Sequence, residues 1–162
     1  MLQIDFKTVK TFENGGKIEI IDGYKKKSDH SDLVSISRFF AGKGNCVTIT
    51  TDIHFKDEKY QEVFGALIGT KYNRKCPDLI INGTFYEYES YSPPFKKEKL
   101  FNMLKRGFLQ SSYIIIDNNK GASDRFIKQK LGERLRMGQI IDEVWLYEKG
   151  KIRLLYKKAV GK

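Results

Sequence analysis

The stretch Lys75–Ser90 constrains the fold most, because it combines an apolar run, a tight turn and an alternating segment. Its turn, Asn82-Gly83, is the strongest two-residue signal for a β-hairpin, since both residue types accept the positive φ angles of such a turn. The apolar run Leu79–Ile81 stands before the turn, and the alternating segment Phe85–Glu89 follows it. The sequence therefore predicts a β-hairpin across these residues.

Three carboxylates accompany the predicted hairpin. Asp78 follows Pro77 and opens the first strand. A proline, which lacks a backbone N–H, is tolerated at the start of a strand. Alternation along the second strand places Glu87 and Glu89 on one face, and Tyr86 and Tyr88 on the other. The chain carries a net charge of +10, so carboxylates gathered in it are either ion-paired with basic side chains or used in chemistry.

The remaining pattern predicts an α/β (α+β) fold with a mixed central sheet and about three helices. At 162 residues the chain has the length of one domain. We expect a single domain over 1–162, in which 1–30 form an N-terminal strand and loop extension and 31–156 form the core. From Ser31 to Asp117 the predicted order is helix, strand, strand, strand, helix, strand, and a further helix and a hairpin follow.

Turn and cap signals place the individual elements. Lys17–Ile21 is predicted to be a strand between glycine turns, and Ser31 and Ser123 are predicted to be helix N-caps. The segment 57–67 fits either a short helix or an ordered loop, because glycines weaken its helical pattern. Val144–Tyr156 is predicted to form a closing hairpin that turns at Lys149-Gly150.

Basic residues are concentrated between Phe95 and Arg136, where eleven Lys or Arg stand against four Asp or Glu. This excess suits a polyanion, most often a nucleic acid, because each phosphate contact releases a counterion. The alternative is a solubilising surface made of solvated helix faces. The candidate phosphate contacts are Lys105, Arg106, Arg125, Lys128, Arg134 and Arg136.

Several classes of protein are not indicated by the sequence. Cys46 and Cys76 have no Cys-x-x-Cys pairing, so neither a cysteine zinc site nor a disulfide scaffold is expected. No apolar run reaches the length of a membrane helix, and the first residues do not resemble a signal peptide. We therefore expect a cytoplasmic protein without membrane insertion.

The hairpin carries a resemblance to one nuclease family. Pro77-Asp78, followed on the next strand by Glu87-Tyr88-Glu89, resembles the motif of the PD-(D/E)XK nucleases. The predicted helix-strand-strand-strand-helix-strand frame over 31–117 is also similar to theirs.

This resemblance implies a metal-dependent DNA endonuclease. Asp78 and Glu87 would hold one Mg²⁺, which would supply the Lewis acid and the hydroxide for phosphodiester hydrolysis. The chain departs from the family at Glu89, which stands in the place of the family's lysine. Lys96 or Lys97 is a candidate substitute for that lysine.

A second resemblance covers about residues 30 to 156. The run Pro77–Ser90, the basic helix and Gln110–Asp117 resemble the C-terminal nuclease domains of contact-dependent inhibition toxins of the CdiA type. Ile141–Trp145 and Lys149–Ile152 fit the same pattern. Several such domains cleave tRNA with the metal-free barnase/EndoU/colicin/RelE arrangement. The resemblance implies RNA as substrate, no cofactor, and an acidic immunity protein as a possible partner.

Our first expectation is thus a small toxin-type or mobile-element nuclease that cleaves RNA, with tRNA as the expected substrate. Its candidate catalytic residues are Glu87, Glu89, Asp78 and Lys97, with His30 and His54 as further acid–base candidates. Tyr86, Tyr88 and Tyr91 are candidates for stacking on bases or for core packing. The alternatives are the Mg²⁺-dependent DNA endonuclease and an inactive nucleic-acid-binding module.

Overall fold

A computed structural model describes residues 6–159. The chain forms two compact units, Met1–Phe85 and Tyr86–Lys162. The predicted α/β class with mixed strand pairing is confirmed, with four α-helices in the described residues rather than about three. No helix in residues 6–159 is long and apolar enough to cross a bilayer. The division of the sequence into an extension and a core stays a prediction.

The first unit combines four short strands with two helices. Its elements are β1 (Phe6–Thr11), β2 (Lys17–Ile21), α1 (His30–Gly42), β3 (Cys46–Ile49), α2 (Glu58–Phe64), a 3-10 turn (Gly65–Leu67) and β4 (Leu79–Ile81). β1 pairs antiparallel with β2, β2 parallel with β3, and β3 antiparallel with β4.

Apolar spacing explains the helices of this unit. Leu33, Ile36 and Phe40 recur on one face of α1, and all three are buried. The ambiguous segment 57–67 is helical, and the Asp57 side chain caps α2 by accepting from the Lys59 N–H at 3.0 Å. The prediction of Ser31 as an N-cap is wrong, because the N-cap position of α1 is Asp29, two residues earlier.

The second unit is built on parallel strands joined by helices. Its elements are β5 (Thr84–Glu89, which begins just before the division), α3 (Lys97–Gln110), β6 (Tyr113–Asp117), α4 (Asp124–Arg136), β7 (Glu143–Glu148) and β8 (Lys151–Lys157). β5, β6 and β7 run parallel, and β8 pairs antiparallel with β7. The apolar residues of α3 and α4 pack with those of β6 and β7 in one core.

The local turn and cap predictions in the hairpins and in α4 are confirmed. Asn82 and Gly83 both have positive φ, at 48° and 82°, and Lys149 and Gly150 repeat the pattern at 49° and 80°. The Ser123 hydroxyl accepts from the Phe126 N–H at 3.1 Å and caps α4.

The parallel pairing decides which side chains meet at one edge of the second unit. Because β5 and β6 run in the same direction, their last residues, Glu89 and Asp117, lie at the same edge of the sheet. Ligand sites in open α/β sheets form outside the carboxyl ends of the strands. The segment that follows Glu89 is therefore the first place to look for a site.

Candidate active site

The Glu89 carboxylate is held by an arginine from the helix that follows its strand. Arg106 Nε and Nη2 each donate to Glu89 Oε2 at 3.2 Å, and Nη2 also donates to the Ser90 carbonyl at 3.3 Å. The Glu89 side chain is 13% exposed and that of Arg106 is 55% exposed. The pair thus joins a largely buried acid to a cation that solvent can reach.

A glycine allows α3 to approach Glu89 this closely. A Cβ placed on Gly107 would lie 3.1 Å from Glu89 Cγ and 3.4 Å from Ile114 Cγ2. Only a residue without a side chain leaves that space to the glutamate. Gly107 therefore permits the close approach of Glu89 to the helix.

A polar cavity of about 280 Å³ lies beside this pair, and we call it the Arg106 cavity. It is lined by Ser90, Tyr91, Ser92, Lys99, Asn102 and Arg106. The last three recur at i, i+3 and i+7 on α3, so they share one helix face. Two cations and an amide on one wall make this cavity suited to an anion of phosphate size.

Two further contacts shape the rim of the Arg106 cavity. Lys99 Nζ donates to the Ser92 carbonyl. The Tyr91 ring packs edge-on against Phe95 with centroids 5.1 Å apart. Burial, and then the charge of Asp117, raise the pKa of Tyr91.

The other hairpin residues of the second unit face the core. Tyr86 and Tyr88 are 7% and 3% exposed, and the Tyr86 hydroxyl donates to Glu143 Oε1 at 3.0 Å. Their placement favours core packing, the second of the two roles considered for them. Glu87 is also buried, at 7% exposed, so it is less accessible to a substrate than Glu89.

Asp78, the remaining hairpin carboxylate, belongs to the first unit and directly precedes β4. Lys27 Nζ lies 2.7 Å from Asp78 Oδ1, and both side chains are mostly buried. Asp29 lies close enough that burial, and then the charge of Asp78, raise its pKa. Lys27 could not be predicted as the partner of Asp78, because it lies in a polar loop far from Asp78 along the chain.

The two histidines are engaged in local structure. His30 Nδ1 and the Tyr24 hydroxyl form a hydrogen bond of 2.8 Å. His54 Nδ1 accepts from the Lys56 N–H at 3.1 Å, and its ring stacks on Phe55. Neither lies in the second unit with Glu89. Asp117 likewise caps a turn, since it accepts from the N–H and side-chain amide of Asn119 at 2.9 and 2.8 Å.

The basic residues predicted to bind phosphate or to act in catalysis do not all line the Arg106 cavity. Lys97 lies with Phe126, 5.5 Å from the ring centroid, rather than in the lining of the Arg106 cavity. Arg134 is only 7% exposed and donates through Nε to Gln139 Oε1 at 2.6 Å, which favours a structural role. The other candidate phosphate contacts are exposed: Lys105, Arg106, Arg125, Lys128 and Arg136.

The described residues also bear on metal binding. In residues 6–159, no group of three or more His, Cys, Asp or Glu side chains is placed to hold a metal ion. Asp78 belongs to the first unit and Glu87 to the second. The magnesium site at these two residues stays a prediction.

Comparisons with known proteins identify no relative of this chain. No protein-family model matches the chain, and neither a curated protein nor a solved structure matches it significantly. Conclusions about function therefore depend on the residues themselves.

Proposed function

We propose that this chain is a nuclease that cleaves RNA, with tRNA as its substrate class, and that Glu89 and Arg106 form its reacting centre. The supporting observation is the Glu89–Arg106 pair at the Arg106 cavity, where Lys99 and Asn102 add a second cation and an amide. The exposed cations of α3 and α4 extend the positive surface around it. Charge of this sign favours the phosphates of a nucleic acid.

The proposed reaction is transfer of the RNA phosphate to its own 2′-hydroxyl. Glu89 takes the proton from the 2′-hydroxyl, the 2′-oxygen bonds to phosphorus, and the bond from phosphorus to the 5′-oxygen breaks. The 5′-oxygen takes up a proton from water. The products are a 2′,3′-cyclic phosphate and a 5′-hydroxyl.

The cations have separate parts in this scheme. A guanidinium has five N–H donors, so Arg106 can hold both Glu89 and a non-bridging phosphate oxygen. Lys99 faces the same cavity and neutralises charge that develops on the phosphate in the transition state. Glu87, which is more deeply buried, is assigned no contact with substrate.

The experiment that tests this proposal is incubation of the protein with total tRNA and with plasmid DNA, each with Mg²⁺ and with EDTA. The proposal predicts discrete tRNA fragments in EDTA, lost in Glu89→Gln and retained in Glu62→Gln, a matched change at an exposed glutamate of α2. Intact tRNA in every condition would overturn the enzyme proposal. Binding that persists at low salt without cleavage would then favour the inactive binding module.

A second candidate function, Mg²⁺-dependent cleavage of DNA, is favoured by a different observation. Asp78 is a buried carboxylate next to a lysine, and such a pair can orient a water against a phosphate. This candidate predicts plasmid cleavage only with Mg²⁺, lost in Asp78→Asn and in Glu87→Gln. Activity in EDTA that survives both variants would exclude it.

A further inference from the structure

We infer that a groove between α3 and α4 binds an unpaired base of the RNA, an inference that rests on the proposed function for its choice of ligand. Two cavities, of about 290 and 240 Å³, share Lys97 and Phe126 in their linings. We call them together the Phe126 groove. Its wall is formed by Phe95, Lys97, Phe101, Ala122, Phe126 and Lys130.

The aromatic rings of the Phe126 groove are accompanied by cations. Lys97 Nζ lies 5.5 Å and Lys130 Nζ 5.6 Å from the centroid of the partly exposed Phe126 ring. Arg134 lies over the Phe101 ring, with its guanidinium carbon 5.3 Å from the centroid. Proteins bind single strands through aromatic rings of this kind set in a positively charged surface, since any base can stack on the rings.

The charge of the two helices favours a polyanionic ligand over an apolar one. α3 and α4 together carry nine Lys or Arg and three Asp or Glu. An apolar helix docked in the groove would remove water from the charged side chains that line it, Lys97, Glu98, Lys130 and Glu133, which costs free energy. An RNA strand supplies both a flat ring and the negative charge.

The acidic residues of the groove favour a base over a phosphate as the group that enters it. Glu98 and Glu133 also line it, and Glu133 is paired with Lys130 at 3.4 Å. Their carboxylates repel phosphate but accept hydrogen bonds from base N–H groups. Phosphate is thereby directed to the Arg106 cavity, whose lining includes the cations Lys99 and Arg106.

The two sites lie on different faces of one helix, with Phe101 and Arg106 about 140° apart around its axis. Phe101 belongs to the groove and Arg106 to the cavity, and they are five residues apart on α3, or about 7.5 Å along the helix axis. One strand can therefore place a phosphate in the cavity and a nearby base in the groove. The groove then selects substrates with unpaired nucleotides next to the cleaved bond.

The test compares two labelled polymers in EDTA by fluorescence anisotropy. One is a 2′-O-methyl oligouridylate, which has no free 2′-hydroxyl, and the other is an abasic sugar–phosphate chain of equal length. Phe126→Leu keeps apolar bulk but removes the ring. Phe55→Leu is the matched control, because Phe55 is an exposed ring with Arg74 at 4.1 Å in the first unit.

Phe126→Leu is expected to weaken oligouridylate binding at least about fivefold, the loss of one stacking contact. Binding of the abasic chain is expected to stay within about twofold, and Phe55→Leu to change neither. Equal losses for both polymers, or no loss, would overturn the groove while the proposed function stands. If the wild-type protein binds neither polymer, the proposed function fails and the groove with it.

A second measurement does not depend on the folding of a variant. A 4-thiouridine oligomer irradiated with the wild-type protein is expected to crosslink to the peptide that contains Phe126. Crosslinks confined to peptides outside 95–101 and 122–130 would contradict the inference.

Discussion

Replacing Gly107 by alanine is expected to slow the reaction while leaving the fold intact. The new methyl group would stand 3.1 Å from Glu89 Cγ, closer than a normal carbon–carbon contact, so the glutamate must move by a few tenths of an ångström. Glu89 would then no longer meet Arg106 and the substrate in the geometry seen here.

The effect on stability is the difference of two opposing contributions. Alanine in place of glycine inside a helix stabilises by about 1 kcal/mol. Crowding against Glu89 and Ile114 costs about 1–3 kcal/mol, as for an extra methyl group in a packed core. The free energy of unfolding of Gly107→Ala should therefore fall by no more than about 2 kcal/mol, measured by urea unfolding followed through Trp145 fluorescence.

The expected effect of Gly107→Ala on the rate of tRNA cleavage is larger than its effect on stability. A misplacement of about 1 Å can cost about 100-fold in rate. A shift of a few tenths of an ångström should then lower the initial rate of tRNA cleavage in EDTA by about tenfold.

The matched control for this prediction is Gly132→Ala in α4. A Cβ there would meet only the flexible Arg136 side chain, at 3.4 Å, so the change should stabilise the helix and leave the rate unaltered. A rate for Gly107→Ala within twofold of the wild type, or an equal loss in Gly132→Ala, would refute the placement of Glu89 in the reacting centre.

Three further predictions concern stability. Lys27→Met should destabilise the protein by about 2 kcal/mol in urea unfolding, because it leaves the buried Asp78 carboxylate without this partner; adding Asp78→Asn should recover part of the loss, and strict additivity would count against the pair. Burial and the charge of Asp78 raise the pKa of Asp29, so the free energy of unfolding falls as pH rises from about 3.8 through the raised value. Asp29→Asn should therefore raise the melting temperature at pH 7 but not at pH 3. A lower melting temperature of the variant at pH 7 would contradict this. Tyr86→Phe should cost about 1 kcal/mol through the lost bond to Glu143, measured by thermal unfolding, and an unchanged stability would show that this bond adds nothing net.

Elements with local chemical signals were predictable from sequence. Asn82, Gly83 and Gly150 accept positive φ readily and therefore mark their turns locally, whereas Lys149 does not share that preference. Ser123 and the apolar spacing of α4 likewise lie within a few neighbouring residues. In contrast, β1 was missed because all six of its residues are exposed, which leaves no alternation of apolar and polar residues to detect.

The contacts of the candidate site were only partly predictable. Glu89 and Arg106 were each singled out, but their pairing depends on how α3 packs on β5, which no local pattern encodes. Lys99 and Asn102 could not be singled out, because nothing in the sequence shows that a cavity forms beside their face of α3. The glycine at 107 interrupts a helical pattern, and that irregularity was the one available signal for a close approach.

The most direct test of the proposed RNA nuclease is the chemistry of the fragment ends after tRNA cleavage in EDTA. Attack by the 2′-hydroxyl predicts 2′,3′-cyclic phosphate and 5′-hydroxyl ends from the wild type and from Glu62→Gln, and no fragments from Glu89→Gln. Fragments with 5′-phosphate ends that appear only with Mg²⁺ would contradict the account and transfer the chemistry to Asp78 and Glu87.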